Sequence, residues 1–172
     1  MVKAGLPTYV DTRKVFLHEE EISGFIEVAA LSRLQDVLAN TDGEIQVHLL
    51  FSLNDSKQRL IKGSLKANIN VNCQRCLEPV EIFIEDEISI VLVDCETSVA
   101  KLVDTADPWI CSEHKLLLTE LAEEQLILCV PIVSYHRDRE CGKNFGYITQ
   151  DSRKTTSDNK DNPFAILKTL KS

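Results

Sequence analysis

The stretch Leu65-Lys66-Ala67-Asn68-Ile69-Asn70-Val71-Asn72-Cys73-Gln74-Arg75-Cys76-Leu77-Glu78-Pro79-Val80-Glu81-Ile82-Phe83-Ile84 decides the fold. Its first part alternates, with Leu65, Ala67, Ile69 and Val71 on one side and Lys66, Asn68, Asn70 and Asn72 on the other. A strand turns successive side chains to opposite faces, so the pattern predicts a half-buried strand. Beyond the interruption Val80, Ile82, Ile84, Ile88, Ile90 and Leu92 keep the same two-residue phase, with Glu81, Glu85 and Glu87 facing away. The joint carries a C-x-x-C and Pro79, which predict a hairpin turn rather than a continuing strand. Upstream, Glu44 to Leu53 reads as a third strand, closed by the turn-forming Asn54-Asp55-Ser56. Residues 44–93 are expected to form a three-stranded antiparallel meander with one wet face.

On the N-terminal side, Arg13 to Leu17 and Gly24 to Val28 are extended candidates. The charge run Glu19-Glu20-Glu21 between them reads as a solvated loop. Leu31, Leu34 and Leu38 recur at helical spacing, and Asn40-Thr41-Asp42-Gly43 stops that helix. On the other side, Asp94 to Asp107 is a polar loop, and Trp109 and Ile110 begin a short strand. Thr119 is placed to cap a helix whose early residues Glu120, Glu123 and Glu124 suit the positive end of its dipole. Leu118, Leu121, Ala122 and Leu128 give that helix an apolar face, and Pro131 ends it. The fold class expected is α+β: an antiparallel sheet, able to close toward a barrel, with packed helices and a tethered C-terminal helix.

The chain has 172 residues, of which 44% are hydrophobic and 27% charged, the composition of an ordinary soluble domain. Its net charge of −8 argues against a general nucleic-acid coat protein, which needs a basic face to release counterions from phosphate. No run approaches the roughly 20 apolar residues of a membrane span, and the N-terminal residues lack the apolar segment of a signal peptide. A cytoplasmic location is expected, with the 6 cysteines reduced.

Charge divides the chain. Residues 1–136 carry 11 Lys/Arg and 22 Asp/Glu; residues 137–172 carry 8 and 5. From Gln150 to Asn162 no side chain is apolar, the composition of a flexible linker that cannot repay its ordering entropy. Residues 1–149 are therefore expected to form the folded domain and 150–172 a basic tail. Within the tail, Asn162 is cap-like, Pro163 suits a first helical position, and Phe164, Leu167 and Leu170 follow at spacing three. Such a short helix is marginal alone, so it either docks on its own domain or serves a partner as a helix-in-groove element.

Chemistry concentrates at the turn. Cys73 and Cys76 can both face one metal ion, but a structural zinc needs four ligands and no second C-x-x-C follows. His136 and Cys141, spaced H-x4-C, are the best remaining candidates. With one regular and one irregular half, the expectation kept is two reduced cysteines with Arg75 exposed between them, and neither metal nor cofactor. A redox C-x-x-C is the alternative; it needs a strand-to-helix setting where a hairpin is expected. No G-x-S-x-G, phosphate-cradling glycine loop or H-E-x-x-H occurs, so no catalytic residue is assigned.

Asn72-Cys73-Gln74-Arg75-Cys76-Leu77-Glu78-Pro79, then Glu124-Gln125-Leu126-Ile127-Leu128-Cys129-Val130-Pro131, His136, Cys141 and Asn162-Pro163-Phe164-Ala165-Ile166-Leu167, in that order, resemble the YceD family, the large ribosomal RNA subunit accumulation proteins. The resemblance implies a non-enzymatic bacterial role in synthesis, processing or stability of 23S rRNA. It implies RNA- or partner-binding positions at Cys73, Arg75, Cys76 and Pro79 of the turn and at Asn162, Pro163, Phe164 and Leu167 of the tail. Some relatives carry a fuller cysteine cluster ending in C-G-x-N. Here Cys141-Gly142-Lys143-Asn144 keeps that end, while the upstream cysteines are missing. The expected partner is large-subunit rRNA or its precursor, or a basic ribosomal protein that suits the acidic domain better. Neither a membrane nor a small-molecule substrate is expected.

Overall fold

The computed structural model describes residues 4–99, 107–138 and 141. Its elements are β1 (Tyr9–Asp11), α1 (Thr12–Val15), β2 (Glu21–Glu27), 3-10 turns at Val28–Ala30 and Leu34–Val37, β3 (Glu44–Leu53), β4 (Arg59–Asn72), β5 (Pro79–Val93), α2 (Glu96–Val99), β6 (Asp107–Ile110), β7 (Lys115–Leu117) and α3 (Leu118–Cys129). The strands form a five-stranded sheet in the order β2-β3-β4-β5-β6 and a small β1-β7 pair. The fold is α+β and mostly antiparallel, as the alternation predicted. The five-stranded sheet is open rather than closed into a barrel.

The meander follows from side-chain phase. Ile45, Val47, Leu49 and Phe51 of β3 turn inward, and register brings Val47 beside Leu65 and Phe51 beside Ile61. Ile61 in turn neighbours Ile90 of β5. Against this face pack Leu118, Leu121, Ala122 and Leu126 of α3, together with Leu31, Leu34 and Phe16, all buried. The Phe16 and Phe51 rings meet edge to face, centroids 5.4 Å apart. The opposite face carries Lys62, Lys66, Asn68, Glu85 and Glu87 and is wet.

Gly24 protects one edge. A Cβ there would lie 2.7 Å from the Leu6 backbone, so only glycine lets residues 4–6 run alongside β2. Leu6 N donates to Phe25 O at 2.9 Å and Phe25 N to Ala4 O at 3.1 Å, covering an edge that would otherwise invite pairing.

Several local expectations are corrected. Arg13–Leu17 is not extended: the Asp11 carboxylate caps α1 by accepting from Arg13 N at 3.0 Å. Leu31, Leu34 and Leu38 do not share a helix, because Leu31 (φ −105°, ψ 90°) and Leu38 (φ −96°, ψ 156°) both leave helical geometry. The buried Glu123 carboxylate accepts from Arg33 N at 2.7 Å and Leu34 N at 3.1 Å, satisfying the second turn's leading donors from across the core. Helix α3 starts at Leu118, directly out of β7, so Thr119 lies inside it and caps nothing. The Asp94–Asp107 loop contains α2, and the strand at Trp109 pairs with β5 in parallel. Among the described residues no helix is long and apolar enough to cross a membrane. The expected linker and helix of residues 150–172 lie outside the described residues.

Candidate metal centre

Strands β4 and β5 outrun their neighbours. β3 pairs with β4 only from Arg59 to Ala67, and β6 with β5 only from Ile90 to Val93. The distal hairpin, Asn68–Asn72 against Pro79–Phe83, is therefore two-stranded and ends in the C-x-x-C turn. There Cys73 N donates to Glu78 O at 2.9 Å and Leu77 N to Cys73 O at 2.8 Å. Leu77 takes the left-handed conformation (φ 62°) that reverses the chain. The reversal draws both thiols inward: Cys73 and Cys76 are buried while Gln74, Arg75 and Leu77 face out.

A second segment closes over this turn. The chain leaving α3 runs from Pro131 to Asp138 and is strapped to the turn by Gln74. Its backbone N donates to Ser134 O at 2.9 Å and its side-chain amide to Ile132 O at 2.7 Å. The strap delivers His136. The ring Nε2 of His136 donates to Pro79 O at 3.0 Å, since a carbonyl can only accept. In the neutral ring that leaves Nδ1 unprotonated and aimed at Cys76 Sγ, 3.3 Å away. Cys141 completes the cluster: the ligand atoms of Cys73, Cys76, His136 and Cys141 all lie within 4.8 Å of one another.

The electrostatics favour a thiolate at the centre. Burial pushes the Cys73 thiol up, but backbone amides of Cys76, Arg75 and His136 directed at the sulfur outweigh it and bring the pKa down to about 5. Burial, with the Cys73 and Cys141 sulfurs nearby, pushes Cys76 up. The Cys73 sulfur holds the His136 imidazole above its ordinary value.

The arrangement fits zinc. Zn–S bonds of about 2.3 Å in a tetrahedron set the sulfurs roughly 3.8 Å apart, so a contraction of about 1 Å at most is needed. Three thiolates and one imidazole match the metal's preference, and a ligand histidine whose other nitrogen donates to a carbonyl is the usual second layer. Four protein ligands leave no open position, which marks a structural rather than a catalytic site. A thiol enzyme is less well served, because Cys73 has 0% exposure and an external disulfide has no path to its sulfur.

Arg75 is exposed but engaged. Its Nη1 donates to Asp138 O at 3.1 Å, lies 3.3 Å from Cys141 Sγ, and its guanidinium stacks over the Tyr135 ring at 5.1 Å. Pro79 contributes its carbonyl to His136. So Cys73, Arg75, Cys76 and Pro79 meet in one cluster with His136 and Cys141, whereas Asn162, Pro163, Phe164 and Leu167 lie outside the described residues. Sequence reading missed Gln74 and Tyr135, whose contacts cross 58 and 60 positions and leave no local signal. The other cysteines stand apart. Cys111 Sγ donates to Glu113 O at 2.8 Å, Cys95 sits beside Thr97 and Ser98, and burial pushes Cys129 up to about 11.

The family model described as "Large ribosomal RNA subunit accumulation protein YceD" matches residues 61–171, a span that begins in β4 and contains the whole cluster. The chain is 29% identical over 177 residues to the protein of that name from Haemophilus influenzae, with 99% of each chain covered. No solved structure matches the chain.

Proposed function

Because the chain belongs to the YceD family, we propose that it is a non-catalytic cytoplasmic ribosome-biogenesis factor whose binding end is built around a structural zinc ion. In this reading it promotes synthesis, processing or stability of 23S rRNA during large-subunit assembly. The ribosomal part rests on the family. The mechanistic part rests on one observation: four ligand atoms from two segments some 60 residues apart lie within 4.8 Å. This replaces the metal-free turn expected from sequence.

The metal would supply a fixed cross-link between the hairpin tip and the segment after α3. Everything else is done by the chain. Gln74 straps the segment, Arg75 pins its far end through Asp138 O and Tyr135, and Pro79 orients the imidazole. The result is a rigid platform of Arg75, Leu77, Tyr135 and Arg137 at the hairpin end, suited to docking on an assembling particle.

A second reading has its own support. Residues 1–136 carry 22 acidic against 11 basic side chains, which repels phosphate and attracts a basic ribosomal protein or processing enzyme. Under that reading rRNA accumulates because the partner is delivered.

The test uses gradient sedimentation of the full chain and of Cys76→Ser, with metal content by mass spectrometry and the 23S to 16S rRNA ratio in depleted cells. We expect one zinc per chain, lost in the variant, and wild-type protein travelling with large-subunit precursors. A metal-free wild type removes the zinc centre. An unchanged rRNA ratio after depletion removes the biogenesis role. Protein that lowers 23S rRNA on depletion yet stays at the top of the gradient with a basic protein favours the second reading.

A further inference from the structure

Strand β5 has an open edge. Strand β4 flanks one side of it throughout, from Arg59 beside Leu92 to Asn72 beside Pro79, but β6 flanks the other side only from Ile90 to Val93. Cys111 N donates to Val93 O at 2.8 Å, so the odd-numbered residues of β5 turn their backbone groups toward the β6 side. At the hairpin turn Cys73 N donates to Glu78 O at 2.9 Å, which sets the even-numbered residues against β4. The register runs unbroken between these points. The backbone N–H and C=O groups of Glu81, Phe83 and Glu85 therefore point outward, and none of them has a partner among the described residues. Asp86, held by Gln125 Nε2 at 2.6 Å, turns its carboxylate toward Glu87 N and ends the open stretch. Two other edges are covered: residues 4–6 flank β2, and Ala39 N donates to Asn70 O at 2.8 Å beside the β4 overhang. An uncovered strand edge is a template for a strand from another chain.

A groove of about 1120 Å³ runs along this edge, with residues 80–86 on one side and Pro131, Tyr135 and Arg137 on the other. Its lining is more polar than apolar, which matches a ligand held by main-chain hydrogen bonds. Side-chain charge selects the strand. Glu81, Phe83 and Glu85 are exposed on one face, where they lie opposite alternate residues of an added strand. In the lining Glu81, Glu85 and Asp86 stand against a single cation among the described residues, Arg137, and Lys66 meets Glu85 from the β4 side at 2.5 Å. A second copy of the chain is disfavoured, because antiparallel pairing of two such edges about Phe83 sets Glu81 of one copy against Glu85 of the other. An RNA strand would bring its phosphates to the same carboxylates. Lysine or arginine opposite Glu81 and Glu85 is favourable, as is a cation over the Phe83 ring. The acidic side chains thus guard the edge against copies of itself and leave it open to a basic strand.

We propose that β5 extends its sheet by pairing residues 81–85 with an extended, lysine- or arginine-rich segment of a partner protein. This rests on the second reading above, a basic protein partner, and gives that partner its seat on the domain. The backbone of Glu81, Phe83 and Glu85 supplies the affinity, and the Glu81 and Glu85 carboxylates supply the preference for basic sequences. The seat uses none of the four clustered ligands.

The test follows amide exchange by NMR on the isotope-labelled full chain, with a capped heptapeptide alternating lysine and valine as probe. We expect the amides of Glu81, Phe83 and Glu85 to exchange freely in the protein alone and about tenfold more slowly with peptide bound. Those of Ile82 and Ile84, already bonded to β4, should change little. Two further peptides carry N-methyl groups on alternate amides, one on the lysines and one on the valines. Only one edge of the peptide faces β5, so one version is expected to bind about tenfold more weakly and the other as before. A glutamate–valine peptide should not bind. Phe83→Pro removes an outward N–H without touching the β4 ladder, and is expected to abolish binding with circular dichroism and metal content unchanged. Slow exchange at Glu81, Phe83 and Glu85 without peptide would overturn the proposal: dependence on protein concentration would then identify a second copy as the cover, and independence the chain itself. Binding that leaves these amides unprotected, equal binding by both methylated peptides, or binding of the glutamate peptide would overturn it as well. The gradient experiment above decides separately whether the partner is a basic protein; such a protein captured equally by Phe83→Pro keeps that reading and removes this seat.

Discussion

The β4–β5 hairpin is closed at its two ends by different chemistry. At the proximal end Phe51, Ile61 and Ile90 stack across three strands and bury against Phe16. At the distal end the third strand is gone, and sulfurs, an imidazole and a strapping amide close the turn. The proximal end is held by area removed from water, which is non-directional and tolerates rearrangement. The distal end buries Ile69 and Val71 as well, but its turn is held by a few directional contacts, each with a fixed partner. A small chain therefore places its stability and its candidate interaction surface at opposite ends of the same two strands.

The comparison breaks most severely at the proximal end. Phe51→Ala removes a fully buried ring and is expected to cost about 3–5 kcal/mol in urea unfolding, while residual folded protein keeps the proposed zinc. Loss of metal without loss of stability would reverse the roles assigned to the two ends. Next is the joint between them. Glu123→Ala orphans Arg33 N and Leu34 N and is expected to cost about 1–3 kcal/mol by the same measurement. A cost within error would mean that water replaces the carboxylate.

Metal removal sharpens the distal end. Chelation should speed hydrogen exchange in residues 73–79 and 130–138 while leaving β3 and the proximal half of β4 protected. Global loss of protection would make the metal a fold-wide determinant instead. Cys76→Ser should match the chelated protein, and Cys111→Ser, whose sulfur lies outside the cluster, should keep the metal. The smallest effect is on the wet face: Lys66→Met breaks the exposed Lys66–Glu85 pair (2.5 Å) and should change stability by less than about 1 kcal/mol.

Much of the proximal end was legible in the sequence because alternation is a local signal. Residues 44–93 fold as the meander that Val47, Leu65 and Ile90 announce, and β3 has the predicted limits. What failed locally was settled by distant groups. Leucine spacing cannot show that Glu123, about 90 positions away, will satisfy the donors of Leu34 and remove the need for a helix. Nor can it show that Trp109 joins β5 in parallel. At the distal end Cys73, Cys76, His136 and Cys141 were visible as residue types with rough spacing. Their convergence was not, because it depends on Gln74 reaching Ile132 and on His136 reaching Pro79.

The unequal strand lengths carry one more consequence. β4 has 14 residues and runs about 48 Å, but β3 accompanies it only to Ala67. The last five residues of β4 and their partners in β5 run on as a two-stranded ribbon, a form marginal on its own, which the core holds through the buried Ile69 and Val71 and the segment before β3 holds through Ala39 N donating to Asn70 O at 2.8 Å. The Pro131–Asp138 segment acts on that overhang as a strut. A load applied at Arg75 or Leu77 is thereby resolved along the strut into α3, whose Glu123 and Leu126 are rooted in the core.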